Sequence, residues 1–346
     1  MKLVALGLAV AGAIALSDAA AAMPAPPQPA CETARVYSEA LAGVSVLVLK
    51  DGRVVCESYG QGGGPDAGHE IWSGTKSFNG LIAAAAVQDG LLTLDEPVSL
   101  TLTEWRDDPA RASVTVRQLL TLTSGLRGGV GRAPGYGEAI VAPLSAAPGA
   151  KFQYGATPFQ VFGEVMRRKL TAAGRDPDVL AYLKSRILDP IDARWSDWRR
   201  SPSGDALLPQ GAVFTAREWA KFGEFVRGGG VVDGKPLVDP ATFAQLFTGT
   251  AANPAYGVSW WLPVATGQPD VVTARLDLGV HAAELPRDLV IAAGAGNQRL
   301  YIAPSCGLTV VRQASFDPAT ALAARRQTDG WSDYAFIKPL IDAYCR

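Results

Sequence analysis

Histidine is nearly missing from this chain: there are two in 346 residues, His69 and His281. Catalysis by a Ser-His-Asp triad needs an imidazole beside the nucleophile, and zinc hydrolases draw on clustered ligands. The two histidines are scattered, no Cys-x-x-Cys pair accompanies them, and no G-x-S-x-G elbow is present. Both therefore read as structural or solvent-facing. One-signed charge is missing too. Lys and Arg total 32 against 33 Asp and Glu, a formal net charge of -1 without a basic block. Nucleic-acid binding thus has no electrostatic basis. The chain contains no G-x-x-x-x-G-K-[ST] loop, so a nucleotide site has no support. Beyond the N-terminus no run is long and apolar enough to span a bilayer, which argues against a stable membrane anchor.

What is present describes a globular protein, 48% hydrophobic and 19% charged, long enough for one large or two medium domains. Lys2, the apolar stretch 3–16 and Ala20-Ala21-Ala22 read as a signal peptide spanning residues 1–22. The mature chain is then expected to be periplasmic or secreted, cleaved near Ala22. Cys31, Cys56, Cys306 and Cys345 suit disulfides in an oxidising compartment, with three pairings open.

Along the chain, 33–41 reads as a helix, and 44–50 and 54–59 as strands joined by the hairpin pair Asp51-Gly52. A helix carrying Ser73 should end at Asp89-Gly90. Segments 116–122, 159–170, 178–187, 216–226 and 240–247 have helical character, and 127–149 is a Gly/Pro-rich loop. Segments 258–262, 289–293, 300–303 and 308–313 read as strands, and 334–344 as a closing amphipathic helix. Strands at both ends with helices between them imply one antiparallel sheet built from both termini. The expected domains are an α/β part, 23–93 with 256–346, and a mainly helical part, 94–255.

Three stretches carry chemistry. In Trp72-Ser73-Gly74-Thr75-Lys76 a hydroxyl and an amine lie three residues apart, on one face of a helical turn. That is the minimum for a serine nucleophile whose base is a lysine. Tyr154, after Pro148-Gly149, can present a phenol to a cleft, where a Lys ammonium would lower its pKa. The small residues Gly294, Ala295 and Gly296 allow a substrate to approach backbone N–H groups. Trp72, Trp260 and Trp261 are candidates for an apolar cleft wall or for the core.

From Val44 to Arg312 the chain resembles the penicillin-recognising serine hydrolase superfamily. The likeness is to its class C β-lactamase-like side, near the esterases and 6-aminohexanoate-dimer hydrolases. It rests on Ser73 and Lys76 followed by Ser77-Phe78, on Leu94-Asp95-Glu96-Pro97-Val98, and on Gln118-Leu119-Leu120-Thr121-Leu122-Thr123-Ser124-Gly125-Leu126. Pro148-Gly149 before Tyr154, Gly211-Ala212-Val213-Phe214-Thr215-Ala216-Arg217 and Tyr256-Gly257-Val258-Ser259-Trp260-Trp261 extend it. The resemblance implies an α/β β-lactamase/transpeptidase-like fold, with an antiparallel sheet flanked by helices and an inserted mainly helical domain. It further implies Ser73 as the acylated nucleophile, Lys76 as the amine sharing its proton, and Tyr154 as acid/base toward the leaving group. Gly294 would match the third-motif glycine, and the N–H groups of Ser73 and Ala295 would form the oxyanion hole. No metal or organic cofactor is implied.

Three departures narrow the expectation. Ala156 stands where the family's second motif has Asn, Ala292 where the third has a cation or imidazole, and Leu122 where relatives often carry His. The expected partner is therefore a small ester or amide, including short amide oligomers, rather than a β-lactam. A binding or sensor protein using the same cleft without turnover is the alternative.

Overall fold

In β1 (Gly43–Lys50) six consecutive residues are buried, so both faces of the strand are covered. Its hairpin partner is β2 (Arg53–Tyr59), and Asp51 and Gly52 at the turn take φ of 50° and 78°, both left-handed as a type I′ turn requires. The computed structural model describes residues 29–127, 129, 131–266, 276–318 and 330–345. The expected signal peptide lies outside the described residues.

Three strands from the C-terminal part complete the sheet: β3 (Val290–Gly294), β4 (Gln298–Ala303) and β5 (Leu308–Ala314). The order is β2-β1-β5-β4-β3, and each neighbouring pair is antiparallel. Both ends of the chain thus build one sheet, as the strand pattern implies. Segment 258–262 is the exception to the expected strands. Ser259 takes φ of 71° and turns the chain, so only Trp261 pairs with the edge, exchanging two 3.0 Å hydrogen bonds with Ile291.

Helices cover both faces. Helix α1 (Pro29–Ala40) packs on α6 (Asp333–Tyr344), and Arg312 and Tyr301 reach Ser38 and Asp333 on that side. On the opposite face lies α5 (Ala216–Arg227), where an added Cβ on Gly223 would come within 2.8 Å of Leu300 and 2.7 Å of Thr309. This helix falls within 94–255 by sequence, but it buries Trp219, Phe222, Phe225 and Val226 and packs on the sheet. Between sheet and helical section runs α2 (Ser77–Gln88), buried continuously from Ser77 to Ala86 because small Ala side chains admit neighbours all round. The helical section contains α3 (Val116–Leu120), opened by a Thr115–Gln118 capping box, and α4 (Thr157–Ala172). The loop 127–149 contains a short helix, Tyr136–Ile140.

Disulfides Cys31–Cys56 and Cys306–Cys345 tie α1 to β2 and the β4–β5 turn to the end of α6, resolving the open pairing. Among the described residues no helix is long and apolar enough to cross a membrane.

Candidate active site

Ser73 lies on a 3-10 turn, Trp72–Lys76, that leads directly into α2. The expectation of an ordinary first helical turn is modified because Trp72 takes φ of 50°, which no α-helix interior tolerates. Left-handed strain on so bulky a residue occurs where surrounding contacts over-determine the backbone. Here the Ile71 N–H donates to the Ala212 carbonyl at 2.9 Å, and the Ala212 N–H donates to Thr75 Oγ1 at 3.2 Å. From the other side β3 presses close. A Cβ on Gly294 would stand 2.0 Å from the Ile71 oxygen and 3.2 Å from the Gly74 nitrogen, so glycine is required there.

Lys76 is 4% exposed, with its Nζ 3.1 Å from Ser73 Oγ and donating to the Pro209 carbonyl at 3.0 Å. The rings of Tyr154 and Phe159 lie 4.8 and 5.6 Å from the amine. No carboxylate pairs with it among the described residues. Burial alone pulls its pKa down to about 7. Near neutral pH a large share of this amine is therefore unprotonated, with a lone pair available to accept the Ser73 hydroxyl proton.

Tyr154 is placed by two backbone bonds: the Gln153 N–H donates to the Leu122 carbonyl at 2.8 Å, and Gly129 N–H to the Tyr154 carbonyl at 3.1 Å. Leu122, where relatives often carry His, is buried and serves through its main chain. The Tyr154 phenol faces Ser73, whose hydroxyl favours its ionised form. Burial pushes its pKa up to about 12, against smaller lowering effects of Ser73 and the Arg299 charge. The sequence argument expected a lysine ammonium to pull this phenol down. Burial reverses that direction, because it also strips Lys76 of much of its charge. The phenol is then a proton donor at neutral pH.

Gly294 ends β3 in extended conformation, Ala295 is exposed, and Gly296 and Asn297 (φ 69° and 59°) turn the chain into β4. Behind this turn stands a group the sequence argument missed. Arg299, 2% exposed, donates to the Gly294 carbonyl at 3.0 Å and to Asp333 Oδ1 at 2.6 Å. A charged residue inside an apolar strand was the available clue. Asn79, Gln160 and the Pro209 carbonyl were likewise missed. A main-chain acceptor leaves no mark in sequence.

The recognition side is apolar. Ala156 packs with Ala133 and Leu207, and Ala292, which the register sets beside Leu300, is wholly buried. Trp261 lies 5.6 Å from the Tyr154 ring and 4.7 Å from Tyr256. Trp260 belongs to the core, stacked on Phe222. Trp72 is partly exposed, between the Arg199 guanidinium and Phe316. His69 pairs with Phe214 in a short strand and His281 stacks on Tyr334. Among the described residues no three His, Cys, Asp or Glu side chains form a metal cluster.

A β-lactamase family profile matches residues 29–328. A curated protein of uncharacterised function from Alkalihalophilus pseudofirmus is 24% identical over 299 residues, covering 78% of this chain and 83% of its own. Among solved structures, a candidate β-lactamase from Bacteroides dorei superposes with TM-score 0.68 at 17% identity, over 92% of this chain and 97% of that one. A candidate 6-aminohexanoate-dimer hydrolase from Bacillus anthracis gives 0.65 at 16% identity, over 90% and 81%. EstCE1, a hydrolase with promiscuous acyltransferase activity, gives 0.62 at 16%, over 82% and 93%. These structures share the fold of an antiparallel sheet flanked by helices. With this fold and a family match across most of its length, the chain belongs to the β-lactamase family of hydrolases.

Proposed function

We propose that the protein is a serine hydrolase acting on small neutral esters or amides, short amide oligomers included, through an acyl-enzyme on Ser73. The observation that carries this reading is a buried amine, depressed to about 7, standing 3.1 Å from a serine hydroxyl. Neutral Lys76 takes the Ser73 proton as Oγ bonds to the substrate carbonyl carbon, and the N–H groups of Ser73 and Ala295 receive the oxyanion. As the tetrahedral adduct collapses, Tyr154 gives its proton to the departing alcohol or amine and recovers one from the Lys76 ammonium. Water then adds to the acyl carbon by the same path and frees Ser73. Ala156 and Ala292 offer no polar side chain to a substrate carboxylate, and a lost charge-assisted contact costs roughly 2 kcal/mol or more. That supports neutral substrates over β-lactams. In this proposal residues 94–255 form the helical part over a sheet domain of 23–93 and 256–346. The mature protein works in the periplasm or outside the cell after cleavage near Ala22, a location with which the two disulfides agree.

The same two alanines favour a second reading, a binding or sensor protein without turnover. One experiment separates the two: p-nitrophenyl esters, short amide oligomers and a chromogenic cephalosporin assayed side by side, with intact-mass detection of acylated protein. Ester or amide turnover with an acyl adduct mapped to Ser73 is expected. Absence of both adduct and turnover with every substrate leaves the binding reading.

A further inference from the structure

The acceptor that holds Lys76 from behind is the Pro209 carbonyl, and proline has no N–H with which to anchor its own position. The preceding residue is anchored instead, from two helices. The Leu208 N–H donates to Gln160 Oε1 on α4 at 3.0 Å, with the Ala206 carbonyl also at 3.1 Å. The Leu208 carbonyl accepts from Asn79 Nδ2 on α2 at 2.9 Å. Asn79 Nδ2 also donates to the Lys76 carbonyl at 3.0 Å, and Gln160 Nε2 donates to the Pro134 carbonyl in the 127–149 loop at 2.7 Å. Both carboxamides are fully buried. Asn79 further leaves its Oδ1 without a hydrogen-bond partner. An orphaned buried acceptor is destabilising, so packing alone would favour an apolar side chain here.

We infer that Asn79 and Gln160 are positioning residues, a pair of carboxamides that clamp Leu208 and thereby aim the Pro209 carbonyl at the Lys76 amine. The inference rests on the proposed roles of Ser73 and Lys76. Without the clamp the carbonyl drifts and the amine is no longer held against Ser73. The ammonium form also loses its acceptor, so the neutral form gains and the Lys76 titration moves to lower pH. The groups against Nζ are Ser73, the Pro209 carbonyl and the rings of Tyr154 and Phe159. Of these only Tyr154 titrates, and it stays protonated to about 12, so a movement between pH 5 and 9 reports Lys76.

The test uses Asn79→Leu and Gln160→Met, each checked for native fold by near-UV circular dichroism. The readouts are the rate of Ser73 labelling by a fluorophosphonate from pH 5 to 9, and the kcat and KM for p-nitrophenyl butyrate. Asn79→Leu should label about tenfold more slowly at pH 8, with its midpoint about one unit lower and KM little changed. Gln160→Met, which leaves the Asn79 half intact, should shift the midpoint less in the same direction. A folded variant whose midpoint stays at the wild-type value or rises overturns the clamp. A wild-type protein that fluorophosphonate does not label at Ser73 overturns the hydrolase reading instead, so the two failures are distinguishable.

Discussion

Two basic side chains are buried on either side of the junction between the Ser73 turn and β3, and their surroundings differ in one respect. Arg299, 2% exposed, faces the carboxylate of Asp333, itself fully buried. Lys76, 4% exposed, faces a hydroxyl, a carbonyl and two aromatic rings, with no carboxylate beside it among the described residues. A guanidinium does not release its proton, so Arg299 stays charged and its counter-ion makes it a fixed brace for the Gly294 peptide. An amine without a counter-ion sheds charge on burial, which turns Lys76 into a base near neutral pH. The neighbour, more than the depth of burial, separates a cation that keeps its charge from an amine that loses it.

The sharpest way to break this comparison is to remove the hydroxyl that the Lys76 amine is proposed to serve. Ser73→Ala should lower ester turnover by at least ~10³-fold and abolish fluorophosphonate labelling, while urea denaturation changes little. Turnover that survives at wild-type level would remove Ser73 and with it the role given to Lys76. Next in size is Asp333→Asn, which strands the Arg299 charge and should cost about 3–5 kcal/mol in urea unfolding. A near-neutral result would mean that Arg299 is not held by its partner.

The third prediction concerns pH. Lys76 titrates near 7 folded, against roughly 10.4 in the unfolded chain. Between those values the unfolded state binds more protons, so stability rises with pH through that window and the burden is full at pH 7 and below. Lys76→Met should therefore raise stability at pH 7 by an order of a few kcal/mol, gain little at pH 10, and abolish turnover. Turnover of the wild type should fall about tenfold per pH unit below 7. The smallest effect is expected for Arg299→Lys. Beside Asp333 the new amine should remain charged and cost about 1–2 kcal/mol, chiefly through lost bidentate bonding. A lysine at 299 that titrates near neutrality would show that burial outweighs the counter-ion.

Much of the fold is legible in local pattern. The apolar, β-branched content of β1, the Asp51-Gly52 turn and the capping residues of α3 and α5 each express a short-range preference. Segment 258–262 was misleading because its apolar composition suits a strand, whereas the left-handed Ser259 is imposed by the Leu120 carbonyl, to which its N–H donates. At the site, Ser73, Lys76, Tyr154 and Gly294 could be named from spacing and family likeness. The acidity of Tyr154 could not, since it depends on a burial that only packing creates. Arg299 and Asp333 were invisible as a pair because they come from different elements.

By itself, then, the chain's order of residues determined which elements form, which side chains could react, and which family it joins, because these follow from local propensity and spacing. Only the tertiary structure decided that the Lys76 amine has no counter-ion while Arg299 has one, that the Tyr154 phenol keeps its proton, and that Asn79 and Gln160 meet at Leu208. Desolvation and counter-ions are properties of the space around a group, and that space is filled by residues far away along the chain.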